Sequence, residues 1–168
     1  SRLLRKIKRY RRLLMFERGY VGSRKRWVAV GYDGLNGRAD FCNADVPSDR
    51  WNRYFKQYMQ PWKKPSGSHV LVIGQVPDDA SLRGLDIHAW CESTAQQISS
   101  AGLPVAIRWH PQSHFQPKSR FRLIPSDLNL QEALRDVQYI VTYNSNTAVD
   151  AVLAGIPAVT FDKGSMAH

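Results

Sequence analysis

The stretch Tyr143-Asn144-Ser145-Asn146-Thr147 sets amide and hydroxyl side chains directly before an apolar segment that ends at Gly155. If that segment is a helix, its unpaired N–H groups and its dipole favour an anion such as phosphate there. An ordinary Ser/Asn N-cap uses the same residues. His110-Pro111 closes another apolar run. The proline holds the histidine extended, and an imidazole so placed can hydrogen-bond a phosphate or protonate a leaving group. The alternative is a surface histidine in a turn, which is also the better reading of His114. Gly74-Gln75-Val76-Pro77-Asp78-Asp79-Ala80-Ser81 lacks both the Gly-Lys-Ser/Thr ending of a Walker loop and the Gly-x-Gly-x-x-Gly of a dinucleotide site, against ATPase and dehydrogenase chemistry. Asp78 and Asp79 read as a solvated turn, and no Asp-x-Asp clamp occurs, so no metal is expected. Asp33, within Gly31-Tyr32-Asp33-Gly34-Leu35-Asn36-Gly37, is the best isolated carboxylate for a general base; a turn residue bonding its own backbone is an equal reading.

The elements that must position these residues follow from hydrophobic periodicity. Strands are expected at Trp27–Gly31, His69–Ile73, Pro104–Trp109, Tyr139–Thr142 and Ile156–Phe161. Helices are expected from Pro47 through Met59 and at Asp86–Ala101, Leu130–Val137 and Ser145–Ala154. The glycines of the 31–37 loop should let its backbone take positive φ. From His69 onward strands and helices alternate, the signature of a parallel sheet covered on both faces. The fold class is α/β, a Rossmann-like parallel sheet flanked by helices, after a short basic N-terminal region. In such sheets ligands bind beyond the carboxyl ends of the strands, where Gly74, His110, Ser145 and Asp162 fall. Pro61–Ser68 is the clearest linker, dividing the chain into residues 1–67 and 68–168.

The chain has 168 residues with a net charge of +10, and 43% of it is hydrophobic. That is enough for a core and too short for two full nucleotide-binding lobes. Residues 1–26 hold 11 cations and one acid, whereas the remainder is neutral. Leu3, Leu4, Ile7, Tyr10, Leu13 and Leu14 recur at helical spacing, so Ser1–Phe16 reads as a basic amphipathic helix. Its cations Arg5, Lys6, Lys8, Arg9, Arg11 and Arg12 suit a nucleic acid, another polyanion, an anionic membrane surface or an acidic partner. No apolar run approaches the ~20 residues of a membrane span, and the basic N-terminus lacks the apolar stretch and small-residue cleavage site expected of a signal peptide. A cytoplasmic protein with two buried, reduced thiols, Cys42 and Cys91, is expected. Self-association is left open.

Taken together, Gly74–Ser81, His110-Pro111, the Ser145/Thr147 pair and Asp150–Val159 resemble the capsular polysaccharide synthesis family, whose members include Kdo transferases. The resemblance covers residues 69–165. It implies a GT-B glycosyltransferase, with residues 68–168 as its C-terminal lobe and no obligatory cofactor. The donor would be a nucleotide-sugar, CMP- or UDP-linked, its phosphate held by His110, Ser145 and Thr147, with Gly74, Gln75, Pro111, Asn144 and Asn146 lining the site. His110 and Asp33 are the catalytic candidates. A polysaccharide or glycolipid would be the acceptor. Glu17–Tyr20, Gly34–Gly37 and Gly164–Ala167 also resemble small phage-encoded glycosyltransferase-like proteins, for which modified DNA would be the acceptor. Such enzymes carry a full N-terminal lobe and continue past the last strand, so a minimal lobe or missing segments are implied. The alternative function is a non-catalytic nucleotide- or nucleic-acid-binding phage accessory protein that kept the fold.

Overall fold

The computed structural model describes residues 12–63 and 67–168. The chain divides into two compact units, Ser1–Met59 and Gln60–His168. In the first, β1 (Leu14–Arg18) and β2 (Val28–Tyr32) form an antiparallel ribbon, Leu14 opposite Tyr32 and Arg18 opposite Val28. The helix expected through Phe16 is therefore corrected: Leu14, Met15 and Phe16 are strand, and residues 1–11 lie outside the described residues. Four apolar residues in a row, Leu13 to Phe16, satisfy either period, and β2 supplies the ladder partner that decides between them. Trp27 packs on Phe55 and Tyr54 with ring centroids 4.8 and 5.4 Å away. The helix expected from Pro47 breaks at Phe55, leaving α1 (Asp49–Tyr54) and a 3-10 turn at Lys56–Tyr58. In the 31–37 loop positive φ falls on Asp33 (62°) and Asn36 (58°), not on the glycines. Gly34 is needed for closeness instead, since a Cβ there would lie 2.4 Å from the Arg38 carbonyl oxygen.

The second unit is a five-stranded parallel sheet in the order β5-β4-β3-β6-β7. Its strands are β3 (His69–Ile73), β4 (Val105–Arg108), β5 (Arg122–Leu123), β6 (Val137–Thr142) and β7 (Ala158–Thr160). β3, an unbroken apolar run after its histidine, sits in the middle with every residue buried. Leu71 and Ile73 face a core with Ile140, Ala148, Ala151 and Ile156. Val70 and Val72 face the opposite core with Ile87, Cys91, Ala95 and Ile107. The period-2 pleat makes both cores from one strand. The Rossmann-like α/β fold expected from the sequence is the observed one.

α2 (Ile87–Ser100) matches its expected span. Asp86 caps it by accepting hydrogen bonds from the His88 and Ala89 N–H groups at 3.0 and 3.1 Å. α3 (Leu130–Ala133) is shorter than expected because Val137 pairs with His69 in the β3–β6 ladder instead of prolonging the helix. α4 (Thr147–Leu153) starts two residues after Ser145, so Ser145 and Asn146 belong to the turn before it. β5 was not expected, being two exposed residues with no periodicity to read.

Both α2 and α4 end in the same paired arrangement at a glycine. Leu103 N–H reaches Ile98 O (3.3 Å) and Gly102 N–H reaches Ser99 O (2.9 Å); Ile156 reaches Ala151 (2.9 Å) and Gly155 reaches Val152 (3.0 Å). Each glycine takes positive φ, 81° at Gly102 and 77° at Gly155, as this motif requires. Their surroundings differ. A Cβ on Gly102 meets nothing within 4 Å, whereas one on Gly155 would lie 2.1 Å from the Pro61 carbonyl oxygen. The Gln60–Lys63 segment is docked there, Gln60 N–H on Leu153 O (2.7 Å) and Lys63 N–H on Gly155 O (2.8 Å). Gly102→Ala should then cost about 1 kcal/mol in urea unfolding, the left-handed strain alone. Gly155→Ala should cost roughly 3 kcal/mol or more, because packing strain adds to it. Equal costs would mean that the Pro61 contact does not form.

The cysteines also separate. Cys91 is wholly buried, and burial pushes its thiol well above the usual range. Cys42, expected to be buried, is exposed. A native-state thiol titration should label Cys42 at once and Cys91 only on unfolding; prompt labelling of both would contradict the packing of α2.

Candidate functional site

The parallel register levels the strand ends. Ile73 is paired with Arg108 on one side and with Thr142 on the other, and Thr142 with Thr160. The chain therefore leaves β3, β4, β6 and β7 along a single row. The topology reverses between β3 and β6, the place where open α/β sheets bind ligands. Thr142, fully buried, locks that point: its Oγ1 donates to Ile73 O at 3.0 Å and accepts from Ser145 N–H at 3.4 Å.

Hydrogen bonds tie the loops that follow. Gln75 Nε2 donates to Ser81 Oγ (2.8 Å) within the loop after β3. Asn144 Nδ2 faces Ser81 O (3.2 Å) and Asp162 Oδ1 (3.4 Å), joining the loops after β3, β6 and β7. Asp162 Oδ1 also accepts from Gly164 N–H at 2.8 Å. Ser145 Oγ lies 3.2 Å from Thr147 Oγ1 and accepts from Thr147 N–H at 3.3 Å. Gly74 lets the chain cross under Trp109, since a Cβ would lie 3.1 Å from that indole.

Among the described residues, Gln75 Oε1, Asn144 Oδ1 and both side-chain amide atoms of Asn146 are buried with no protein partner. They are half of the atoms in this condition, gathered in the loops after β3 and β6, and native proteins seldom leave such groups without a reason. Asn144 cannot exchange its two atoms, because its Nδ2 faces two oxygens. Its Oδ1 is therefore an acceptor awaiting an O–H or N–H donor.

His110 follows β4, next to β3. It starts a tight turn, with Ser113 N–H on His110 O at 2.9 Å. Its Nδ1 accepts from Gln112 N–H at 3.1 Å, which leaves the proton on Nε2. Partial burial and the nearby Arg108 charge lower its pKa, while Asp79 opposes them. The shift favours the neutral ring. The stability linked to this shift is intact above the unfolded value of about 6.5 and is lost as pH falls toward the lower folded value. Arg108 is buried, its Nη2 held by Ser126 O (3.0 Å) and Leu128 O (2.8 Å).

The expected residues divide accordingly. Gly74, Gln75, His110, Pro111 and Asn144–Thr147 all lie along the one sheet edge. Asp33 lies in the first unit at the mouth of the β1–β2 ribbon. Its Oδ1 accepts from Leu13 N–H at 2.8 Å and its Oδ2 lies 3.5 Å from Arg12 Nε. Of the cations assigned to a polyanion, Arg12 pairs with Asp33 and Asp40, its guanidinium 4.1 Å from the Tyr32 ring centroid; Arg5, Lys6, Lys8, Arg9 and Arg11 lie outside the described residues. Asp79 caps a 3-10 turn through Ser81 N–H (2.8 Å), and no cluster of three metal-binding side chains occurs among the described residues. No described helix is long and apolar enough to cross a membrane. The sequence reading missed Thr142 and gave Ser81 and Asp162 no role. Asp162-Lys163-Gly164, a side-chain-to-backbone turn signature beside a strand end, was the available signal for the last.

No family model matches the chain, and no curated protein matches it. Solved structures similar to it include KpsC of Thermosulfurimonas dismutans, a beta Kdo 2,4 transferase, with a TM-score of 0.62 and 16% identity. The match covers 95% of this chain and 64% of that one, so the chain spans less than two thirds of that protein. At this identity the likeness is one of fold, GT-B-like.

The orphaned amide of Asn146 carries its own prediction. A buried, unpaired polar group costs about 1–3 kcal/mol. Asn146→Ala should therefore raise the free energy of unfolding in urea by roughly 1 kcal/mol, against the usual direction for a truncation. A loss of stability would show that its amide is already satisfied.

Proposed function

We propose that the second unit binds a nucleotide-sugar along the C-terminal edge of β3, β4 and β6 and that the protein transfers the sugar. The observation that carries this reading is the set of buried amide atoms without protein partners at Gln75, Asn144 and Asn146. Acceptor oxygens outnumber donors in that set, which suits a ligand rich in hydroxyl groups, such as a ribose or a sugar ring. His110 and Ser145 flank it. β4 and β6 are separated only by β3, so their ends are about 10 Å apart, and one phosphate fits between two side chains reaching inward. In this reading His110 Nε2–H and the Ser145 and Thr147 hydroxyls hold the phosphate. The ligand's charge returns the His110 pKa toward neutrality, so the imidazole can also protonate the leaving phosphate oxygen. No metal is invoked.

The GT-B-like likeness to a Kdo transferase supports glycosyl transfer as the reaction; a CMP-sugar donor and a saccharide or glycolipid acceptor, which the sequence resemblance implies, are the first to test. A second reading, nucleotide binding without transfer, is favoured by one observation: Asp33, the best base in the sequence, is engaged by Leu13 and Arg12.

A thermal-shift panel of CMP, UDP, GDP and ADP should give one selective responder; a ligand at ~100 times its Kd adds ~2.7 kcal/mol. For that nucleotide, calorimetry should show His110→Ala weakening binding about tenfold to a hundredfold, the worth of one charge-assisted hydrogen bond. Ser145→Ala should act in the same direction, and the double variant should be non-additive. An NMR titration of His110 should show its pKa rising when the nucleotide binds. Unchanged affinities in the variants would remove the phosphate site. Binding without any turnover of the nucleotide-sugar would select the second reading.

A further inference from the structure

The β1–β2 ribbon carries an apolar face that the described residues leave uncovered. Residues opposite one another in an antiparallel pair share a face. Leu14, Phe16, Val28 and Val30 therefore lie on one side of the ribbon, with Arg18 opposite Val28. All four apolar side chains are exposed, Phe16 at 66% and Val28 at 61%. A two-stranded ribbon does not ordinarily spread four large apolar groups into water. The turn joining the strands holds Arg24-Lys25-Arg26, all exposed, with Arg26 N–H on Ser23 O at 3.0 Å. The acid within these strands, Glu17, belongs to the other face, where its carboxylate accepts from Asn36 N–H at 2.7 Å. Asp33 and Asp40, nearby, are engaged by Arg12, Leu13 N–H and Cys42 N–H. At the turn end the apolar face is edged by cations alone, Arg18 and Arg24–Arg26; at its other end Tyr32, opposite Leu14, is covered by Arg12, whose charge is matched by Asp33 and Asp40. In the sequence Arg2, Arg5, Lys6, Lys8, Arg9 and Arg11 come just before it.

We propose that this ribbon docks the protein on an anionic lipid bilayer surface, Phe16, Val28 and Val30 entering the headgroup–acyl boundary while Arg18 and Arg24–Arg26 meet lipid phosphates. Charge complementarity selects such a surface over a neutral one. The apolar side chains select it over nucleic acid, whose phosphate backbone is held by polar and charged groups and gives four aliphatic and aromatic side chains nothing to bury against.

The test is co-sedimentation of the full chain with phosphatidylcholine vesicles with and without phosphatidylglycerol, beside duplex DNA at the same salt. The chain should bind the phosphatidylglycerol vesicles. Arg24→Ala/Lys25→Ala/Arg26→Ala should weaken that binding about a hundredfold, roughly fivefold per cation. Phe16→Ser/Val28→Ser, which leaves the charge unchanged, should weaken it about tenfold or more. Near-UV circular dichroism of the Trp27 cluster reports whether each variant is folded, and the turn variant alters only exposed residues. Absence of wild-type binding to the phosphatidylglycerol vesicles would overturn the proposal. So would vesicle binding indifferent to Phe16→Ser/Val28→Ser, or duplex DNA bound more tightly than vesicles and unaffected by that pair.

Discussion

The hydroxyl of Thr142 fixes the point from which the candidate site is built. A threonine ending a central strand has two lone pairs and one proton to place in a dry environment, and each placement does structural work. The proton goes to Ile73 O, which holds the end of β6 level with the end of β3. A lone pair takes Ser145 N–H and bends the chain out of the sheet toward Asn146. With β3 gripped on both sides by parallel ladders, the ends of β4, β3 and β6 cannot slide without disrupting two cores at once, since alternate residues of β3 serve opposite faces. The rigidity of the sheet is passed to the loops through this side chain.

Those loops are tied to one another by only part of their amide side chains. Asn144 gives both protons to Ser81 and Asp162, and Asp162 is further anchored by Gly164. Gln75 leans on Ser81. What remains buried and unpaired is mostly acceptor oxygen, at the edge where the sheet topology reverses. A stable protein with no ligand to accommodate would gain by replacing such amides with apolar groups of similar shape. Local disagreement with the rule of polar satisfaction is the expected mark of a functional site.

Legibility in the sequence followed the number of constraints acting on each segment. β3 and α2 were readable because several signals coincide there: an all-apolar run, Asp86 as a cap, apolar residues at Ile87, Cys91 and Ala95, and Gly102 as a stop. The gathering of His110, Asn144 and Ser145 at one edge was readable because strand ends in a parallel sheet must share it. Leu13–Phe16 was not, since the pairing with β2 that overrides helical spacing lies ten or more residues away. β5 has too few residues to carry a period. The positive φ values of Asp33 and Asn36 were assigned to neighbouring glycines, because Asp33 was read as a base or a turn residue bonding its own backbone and not as a short polar side chain that itself tolerates that conformation. Thr142 was overlooked for a related reason: its hydroxyl matters through two backbone groups that only the fold brings to it.

Under the proposed function, the charge of Arg108 would let this edge attract an anion without relying on a charged histidine. The guanidinium is buried at the end of β4 and is held by the carbonyls of Ser126 and Leu128, not by a carboxylate in contact with it. The carbonyls take Nη2 alone, Nε is buried without a protein partner, and Asp127 acts on the group only at a distance; a charge in a low-dielectric surround acts over a longer distance than one in water. Burial lowers the His110 pKa two residues further on, and the same charge adds to that effect while Asp79 opposes it. In the proposed function a neutral imidazole with its proton fixed on Nε2 would donate to the phosphate without first losing the hydration of an imidazolium, and Arg108 would supply the attraction. An approaching phosphate offsets the field of Arg108 at the ring, and only then does protonation of His110 become favourable. In the proposed function the histidine would acquire its proton when the nucleotide-sugar is bound and lose it when the edge is empty.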